Sequence, residues 1–253
     1  MVSDTPEARP SKEEHARSFD AAARIYEESR PGYPAEAVEW LVPASARRVL
    51  DVGAGTGKFT RLLPRAGRDL VAVDPSAQML EVLREKVPRV ETLLGSAERL
   101  PLSDESVDAV TVAQAWHWVD TAQAVREVAR VLKPGGTLGL IWNSRDERVD
   151  WVREFGEAME SNDAFVAKTA EDHGVGAPFE PGETLEVTWT QQLDRAALLT
   201  LVRSRSHFLV KDSATQTRVL CAVEDVLDSH PEIEKNGKIA LPYVTQAFRY
   251  RRG

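Results

Sequence analysis

The chain has 253 residues, 42% of them hydrophobic, a formal net charge of −8 and a single cysteine, Cys221. That length and apolar content suit one large domain, and the negative charge argues against a nucleic-acid partner, whose phosphates select basic surfaces. One cysteine excludes an intramolecular disulfide and a cysteine-based metal cluster; with no signal-like start and no apolar run long enough to span a bilayer, a soluble cytoplasmic protein without a membrane partner is expected.

Residues 1–13 are polar and proline-containing, and are expected to be disordered. His15 to Arg30 reads as an amphipathic helix with Phe19, Ala23 and Tyr26 on one face, broken by Arg30-Pro31-Gly32-Tyr33-Pro34. A second helix, Ala35 to Leu41, leads into an alternation of strands and helices. The strands are Arg48 to Val52, Leu70 to Asp74, Val90 to Leu94 and Val107 to Ala113, with helices at Lys58 to Ala66 and Ala77 to Val87. Asp120 or Thr121 caps the next helix, which Lys133-Pro134-Gly135-Gly136 ends before a fifth strand, Thr137 to Trp142. Beyond it lie polar helical segments around Trp151 to Lys168, a loop with Gly174, Gly176, Pro178, Pro181 and Gly182, and a strand near Glu186 to Leu193. Helices at Arg195 to Phe208 and Ser213 to Asp228 precede a final strand, Ile239 to Arg249, expected at an antiparallel edge. This order predicts an α/β protein with a doubly wound, seven-stranded sheet, the ligand lying at the carboxyl ends of the strands.

The most informative segment is Asp51-Val52-Gly53-Ala54-Gly55-Thr56-Gly57, an acid followed by glycine at every second position. Glycines here let the backbone turn sharply and lie close to a ligand. A dinucleotide fingerprint would need glycine at 58, where the chain has Lys58; a phosphate-cradling P-loop would need glycine at 52 and Ser or Thr at 59, where it has Val52 and Phe59. The second strand ends at Asp74, whose carboxylate can accept hydrogen bonds from the ribose hydroxyls of a nucleoside, or cap the following helix through Asp74-Pro75-Ser76.

The glycine loop, Asp74, Gly95-Ser96-Ala97-Glu98 and Leu132-Lys133-Pro134-Gly135-Gly136, in this order, resemble class I S-adenosylmethionine-dependent methyltransferases over nearly the whole chain. The resemblance implies a Rossmann-like fold and S-adenosyl-L-methionine as cofactor. By that likeness Asp51, Gly53, Ala54, Gly55, Thr56, Gly57, Asp74, Pro75 and Met79 surround the nucleoside, and Ser96, Ala97 and Glu98 stand where the family binds adenine, although many members have Asp in place of Ser96. Gln114 and Ala115 follow the fourth strand beside the cofactor. The N-terminal segment of such enzymes folds over the cofactor, so residues 14–43 become a helical lid, with Tyr26, Arg30 and Tyr33 toward the methionine half or, equally, packed on the domain edge. Residues 44–145 form the cofactor core, and 146–253 carry the acceptor-side helices and last two strands within one domain. The segments Ala113 to Asp120, Trp142 to Glu147 and Leu241 to Thr245 are similar to an actinobacterial group of small-molecule O-methyltransferases related to trans-aconitate and mannoside methyltransferases.

The acceptor side is then a matter of proton chemistry. A carboxylate is nucleophilic as it stands, whereas a sugar or alcohol hydroxyl needs a base as the new bond forms. His117, between Trp116 and Trp118 just past the fourth strand, is the candidate base, its other role being to order the loop. Trp116, Trp118, Trp142, Asn143 and Arg145 are candidate contacts for a small-molecule acceptor, Trp116 and Trp118 being equally suited to the core, and Arg203 with His207 at i, i+4 forms either a carboxylate clamp or a solvated helix face. No metal motif is present, a homodimer is compatible with the sequence, and the remaining readings are a nucleic-acid methyltransferase, a non-catalytic cofactor-binding protein and a nicotinamide dehydrogenase.

Overall fold

A computed structural model describes residues 31–161, 173–230, 234–235 and 237–253, with backbone only for Ser206, His207, Glu234 and Lys235. Arg48–Val52 (β1), Asp69–Asp74 (β2), Glu91–Leu94 (β3), Val107–Ala113 (β4), Leu132–Arg145 (β5), Glu183–Leu193 (β6) and Lys238–Arg251 (β8) form one sheet, with the two-residue Glu234–Lys235 (β7) paired on β8. The strand order is β3-β2-β1-β4-β5-β8-β6; the first five are parallel, and β8 runs antiparallel to both β5 and β6.

Side chains alternate across the sheet as a two-residue period dictates. Leu50, Val52, Val71, Val73, Val110 and Val112 enter one buried cluster, while Val49, Leu70, Ala72 and Ala109 enter the other. The near-continuous apolar runs of β1 and β2 follow from burial on both faces. Helix Thr121–Val131 (α3) covers the first face through Ala124, Val125 and Val128; helices Ala35–Leu41 (α1) and Ala77–Lys86 (α2) cover the second through Leu41, Leu80 and Leu83. A third cluster joins Asp150–Ala158 (α4), Arg195–Arg203 (α5) and Ser213–Ser229 (α7) to the start of β8 through Phe155, Leu198, Val223 and Tyr243. The short Ser206–Leu209 (α6) lies between α5 and α7. Aspartate carboxylates receive the first-turn amides of α3, α5 and α7, Asp120 from Gln123, Asp194 from Ala197 and Asp212 from Thr215, at 2.7–3.0 Å.

Four expectations are corrected. The helix from Lys58 to Ala66 is only a 3-10 turn, Thr60–Leu62, because Pro64 lacks an amide hydrogen and disfavours helix at Leu63. β5 begins at Leu132 and runs to Arg145; the pairing jumps from Val107↔Leu132 to Ala109↔Thr137, so Lys133 to Gly136 bulge out of the ladder. The helix from Arg195 to Phe208 is interrupted after Arg203, where the Ser204 hydroxyl bonds back to the Leu201 carbonyl at 2.8 Å. The last strand is antiparallel but interior, and β6 takes the edge.

Candidate functional site

The sheet changes winding direction between β1 and β4, and the carboxyl ends of these strands open a crevice there. β1 delivers Asp51, 1% exposed, whose carboxylate accepts the Thr60 hydroxyl at 2.6 Å and the Thr111 hydroxyl at 2.9 Å. Burial pushes this carboxyl up from 3.8 to about 6, opposed by the two hydroxyl bonds and assisted by nearby Asp74. The chain then turns, the N–H groups of Gly53 and Ala54 both bonding to the Val73 carbonyl of β2.

Two glycines of the loop do different work. Gly55 and Gly57 have φ of +54° and +83°. A Cβ on Gly57 would stand 2.8 Å from Leu83 Cγ of α2, so packing excludes it; one on Gly55 would meet no atom within 4 Å. Gly55 thus opens onto space that a ligand lying on the loop would fill. Asp74 closes the loop from β2, accepting the Gly55 N–H at Oδ2 and the Ser76 N–H at Oδ1, both at 2.8 Å. Each oxygen keeps acceptor capacity for a ribose hydroxyl. Pro75 is exposed and Met79 half-buried next to it, and the Gly95 N–H on the Asp74 carbonyl brings the segment after β3 alongside.

In that segment Ala97 is buried, and Glu98 accepts the Asp120 N–H at 3.0 Å. Burial pushes the Glu98 carboxyl up, but bonds from the Ser96 hydroxyl, its own N–H and that of Asp120 leave it below its ordinary value. The Ser96 hydroxyl is therefore engaged with Glu98. With the Asp74 carboxylate closing a loop that offers space but no phosphate-binding pattern, the residues fit a phosphate-free nucleoside better than a pyrophosphate.

On the other side of the crevice, Gln114 leaves β4 at φ +57°, its amide donating to the Asn143 carbonyl at 3.0 Å. Ala115 lies against Gly53, where a Cβ would approach to 2.8 Å. Trp116 is buried, its indole N–H bonded to the His173 carbonyl at 3.0 Å, which assigns it to the core. His117 is exposed and Trp118 is 82% exposed, their rings 4.8 Å apart. The Trp142 indole N–H approaches His117 Nδ1 at 3.4 Å, and Trp142 stacks on His173 at 4.5 Å.

Other sequence candidates are placed differently. Tyr26 and Arg30 lie outside the described residues, while the Tyr33 ring meets Phe59, two residues past the loop, edge-on at 5.0 Å. The Asn143 side chain is spent within the protein, donating to the Gly32 carbonyl and accepting from Thr245, both at 2.6 Å. Arg145 is 1% exposed, with Nη2 on Ser161 and Glu147 and its guanidinium over the Phe155 ring. The helix expected to carry Arg203 and His207 on one face breaks after Arg203, and the His207 side chain lies outside the described residues. Sequence reading missed Thr60 and Thr111 beneath Asp51, His173 under Trp142, and Thr245. Of these only Thr245 fell in a family-like segment; the others meet the site through pairings that no local pattern reveals.

Among the described residues no cluster of three His, Cys, Asp or Glu is placed to hold a metal, and no helix is long and apolar enough to cross a membrane. The methyltransferase domain family matches residues 50–140. An uncharacterized methyltransferase of Mycobacterium tuberculosis is 49% identical over 239 residues, covering 94% of this chain and 97% of that protein. A malonyl-[acyl-carrier protein] O-methyltransferase of Pectobacterium atrosepticum is 37% identical over 132 residues, 51% of this chain and 52% of that protein. The crystal structure of a putative methyltransferase from an antibiotic biosynthesis pathway of Anabaena variabilis shares the fold, with a TM-score of 0.59 at 21% identity over 83% of this chain and 95% of that one. With a glycine loop that leaves room for a nucleoside, an acid at the end of β2 and a relative 49% identical over 94% of its length, the chain belongs to the S-adenosylmethionine-dependent methyltransferases.

Proposed function

We propose that this enzyme transfers the methyl group in line to an oxygen of a small molecule, releasing S-adenosylhomocysteine. The observation that carries this reading is the aromatic rim of His117, Trp118 and Trp142 at the carboxyl ends of β4 and β5, across the crevice from the glycine loop. The cofactor supplies a methyl group already activated on a sulfonium; this chain's residues have to hold the acceptor close, exclude water and manage a proton. Exposed Trp118 offers a flat face for an acceptor, and the acidic chain disfavours a polyanion. The O-methyltransferase among the relatives supports oxygen as the target. A hydroxyl acceptor, such as the 1-OH of a mannoside, would give its proton to His117.

The bond from Trp142 favours a second reading. An indole N–H only donates, so His117 Nδ1 accepts and the neutral ring carries its own proton on Nε2. In that tautomer His117 presents a donor to the acceptor, which suits a carboxylate; the hydroxyl reading requires the acceptor O–H to replace the Trp142 N–H at Nδ1. The test is a turnover screen across sugars and small organic acids, with the methylated atom located by NMR. Methyl ethers support the first reading and methyl esters the second, while methylation at nitrogen or carbon alone would overturn both.

A further inference from the structure

At the end of β5 a chain of hydrogen bonds runs between the last strand of the sequence and the segment that precedes α1. The Trp189 indole N–H donates to Thr245 Oγ1 at 2.8 Å, the Thr245 hydroxyl donates to Asn143 Oδ1 at 2.6 Å, and Asn143 Nδ2 donates to the Gly32 carbonyl at 2.6 Å. Its polarity is fixed at both ends. An indole N–H only donates and a backbone carbonyl only accepts, so the Thr245 hydrogen must point to Asn143 and the Asn143 amide nitrogen must face Gly32. Thr245 is fully buried and pairs directly opposite Asn143 in the β5–β8 ladder, so the relay starts from rigid sheet rather than from a loop. The Gln114 side chain meets the Asn143 carbonyl from the exit of β4, which makes Asn143 the junction of four chain segments.

The segment it holds reaches the cofactor loop. Tyr33, next to Gly32, packs its ring against Phe59 and, together with Ala54 of the glycine loop, sits on the cluster that fills the second face of the sheet. Residues 32–33 are therefore pinned at two points, to the acceptor side through Asn143 and to the cofactor side through Tyr33, across the point where the sheet changes direction.

We propose that Asn143 is a positioning residue, holding the Gly32-Tyr33 strap across the crevice so that the cofactor loop is preorganised for its ligand, and that Thr245 sets its orientation. The inference rests on the glycine loop being the cofactor site. Asn143→Asp keeps the acceptor for Thr245 but turns a second carboxylate oxygen toward the Gly32 carbonyl, two acceptors that repel. Thr245→Val removes the relay at near-constant shape, and Thr245→Ser retains it.

The experiment is calorimetric titration of S-adenosylhomocysteine into the wild-type protein and these variants, beside their thermal melts. Expected are an affinity about tenfold or more weaker for Asn143→Asp and Thr245→Val, and wild-type affinity for Thr245→Ser. Lower melting temperatures with unchanged affinity in the folded variants would overturn the inference, leaving Asn143 a stability element; Thr245→Ser as weak as Thr245→Val would overturn it as well. Should Asn143→Asp not fold, the Thr245 pair decides alone. A wild-type protein that binds no S-adenosylhomocysteine would refute the cofactor reading and take the inference with it.

Discussion

On the cofactor side most of the residues that shape the crevice are near one another in the chain, the exception being Thr111, which reaches Asp51 across 60 residues. Thr60 bonds to Asp51 across 9 residues, Gly55 to Asp74 across 19 and Asp120 to Glu98 across 22. At the acceptor rim the separations run from 25 between His117 and Trp142 and 29 between Gln114 and Asn143 to 57 from Trp116 to His173, 102 from Asn143 to Thr245 and 111 from Asn143 to Gly32. One half is a backbone device, with amides and a carboxylate closing a turn whose form depends on glycine. The other is assembled from side chains that only the finished sheet brings together. A backbone device held at positive φ is strained by any added side chain, whereas a side-chain assembly is graded and adjustable.

The largest expected effect is therefore in the loop. Gly55→Ala has open space for its methyl in the protein alone but places it where the proposed cofactor would lie. It should cost about 1–3 kcal/mol of folding stability through backbone strain at positive φ, yet weaken S-adenosylhomocysteine binding by about a thousandfold, roughly 4 kcal/mol. Gly57→Ala, whose Cβ meets Leu83 at 2.8 Å, should lower the melting temperature further than Gly55→Ala does. If both variants lost affinity only in proportion to stability, the division of labour between the two glycines would be wrong.

Next comes Asp51. Its folded value of about 6 lies above the unfolded 3.8, so the folded state holds this proton more tightly. The resulting stabilisation is complete below the unfolded value and is lost as pH rises through the folded one, an effect of about 3 kcal/mol across that window. Between pH 4 and 7 the wild-type protein should lose stability relative to Asp51→Asn by roughly that amount, measured by urea unfolding at several pH values. Parallel curves for the two proteins would show that Asp51 titrates normally.

How much of this was legible follows the same division. The glycine loop, Asp74 and the parallel strands could be read directly, because glycine spacing and apolar runs are local consequences of backbone geometry. The edge position expected for β8 failed because strand order is a property of the whole sheet. The single helix expected over Arg203 and His207 failed because it breaks between them, where the Ser204 hydroxyl turns back to the Leu201 carbonyl. Trp116 and Trp118 have the same chemistry and sit two residues apart, yet one is 3% and the other 82% exposed. The surroundings of the first, the His173 carbonyl and the apolar cluster on one face of the sheet, tell them apart.

At the rim smaller effects should appear, separable from cofactor binding. His117→Ala should lower kcat by about a hundredfold for a hydroxyl acceptor, with S-adenosylhomocysteine affinity within tenfold of wild type. For a carboxylate acceptor the loss should fall mainly on KM. An unchanged rate across pH 6 to 9 on an identified hydroxyl acceptor would remove His117 as base. Trp118→Ala, at an exposed site, should leave the melting temperature within about 2 °C and raise the acceptor KM by about three- to tenfold. An unchanged KM would mean that the acceptor enters elsewhere.

The proposal on which the rest depends is that the loop from Asp51 to Gly57 holds a phosphate-free nucleoside and not a dinucleotide. Separate calorimetric titrations of S-adenosylhomocysteine, which shares that nucleoside, and of NAD test it most directly. The account predicts saturable binding of the first at micromolar affinity or tighter, at one site per chain, and no detectable binding of the second. Saturable NAD binding, or no binding of S-adenosylhomocysteine at millimolar concentration, would contradict it.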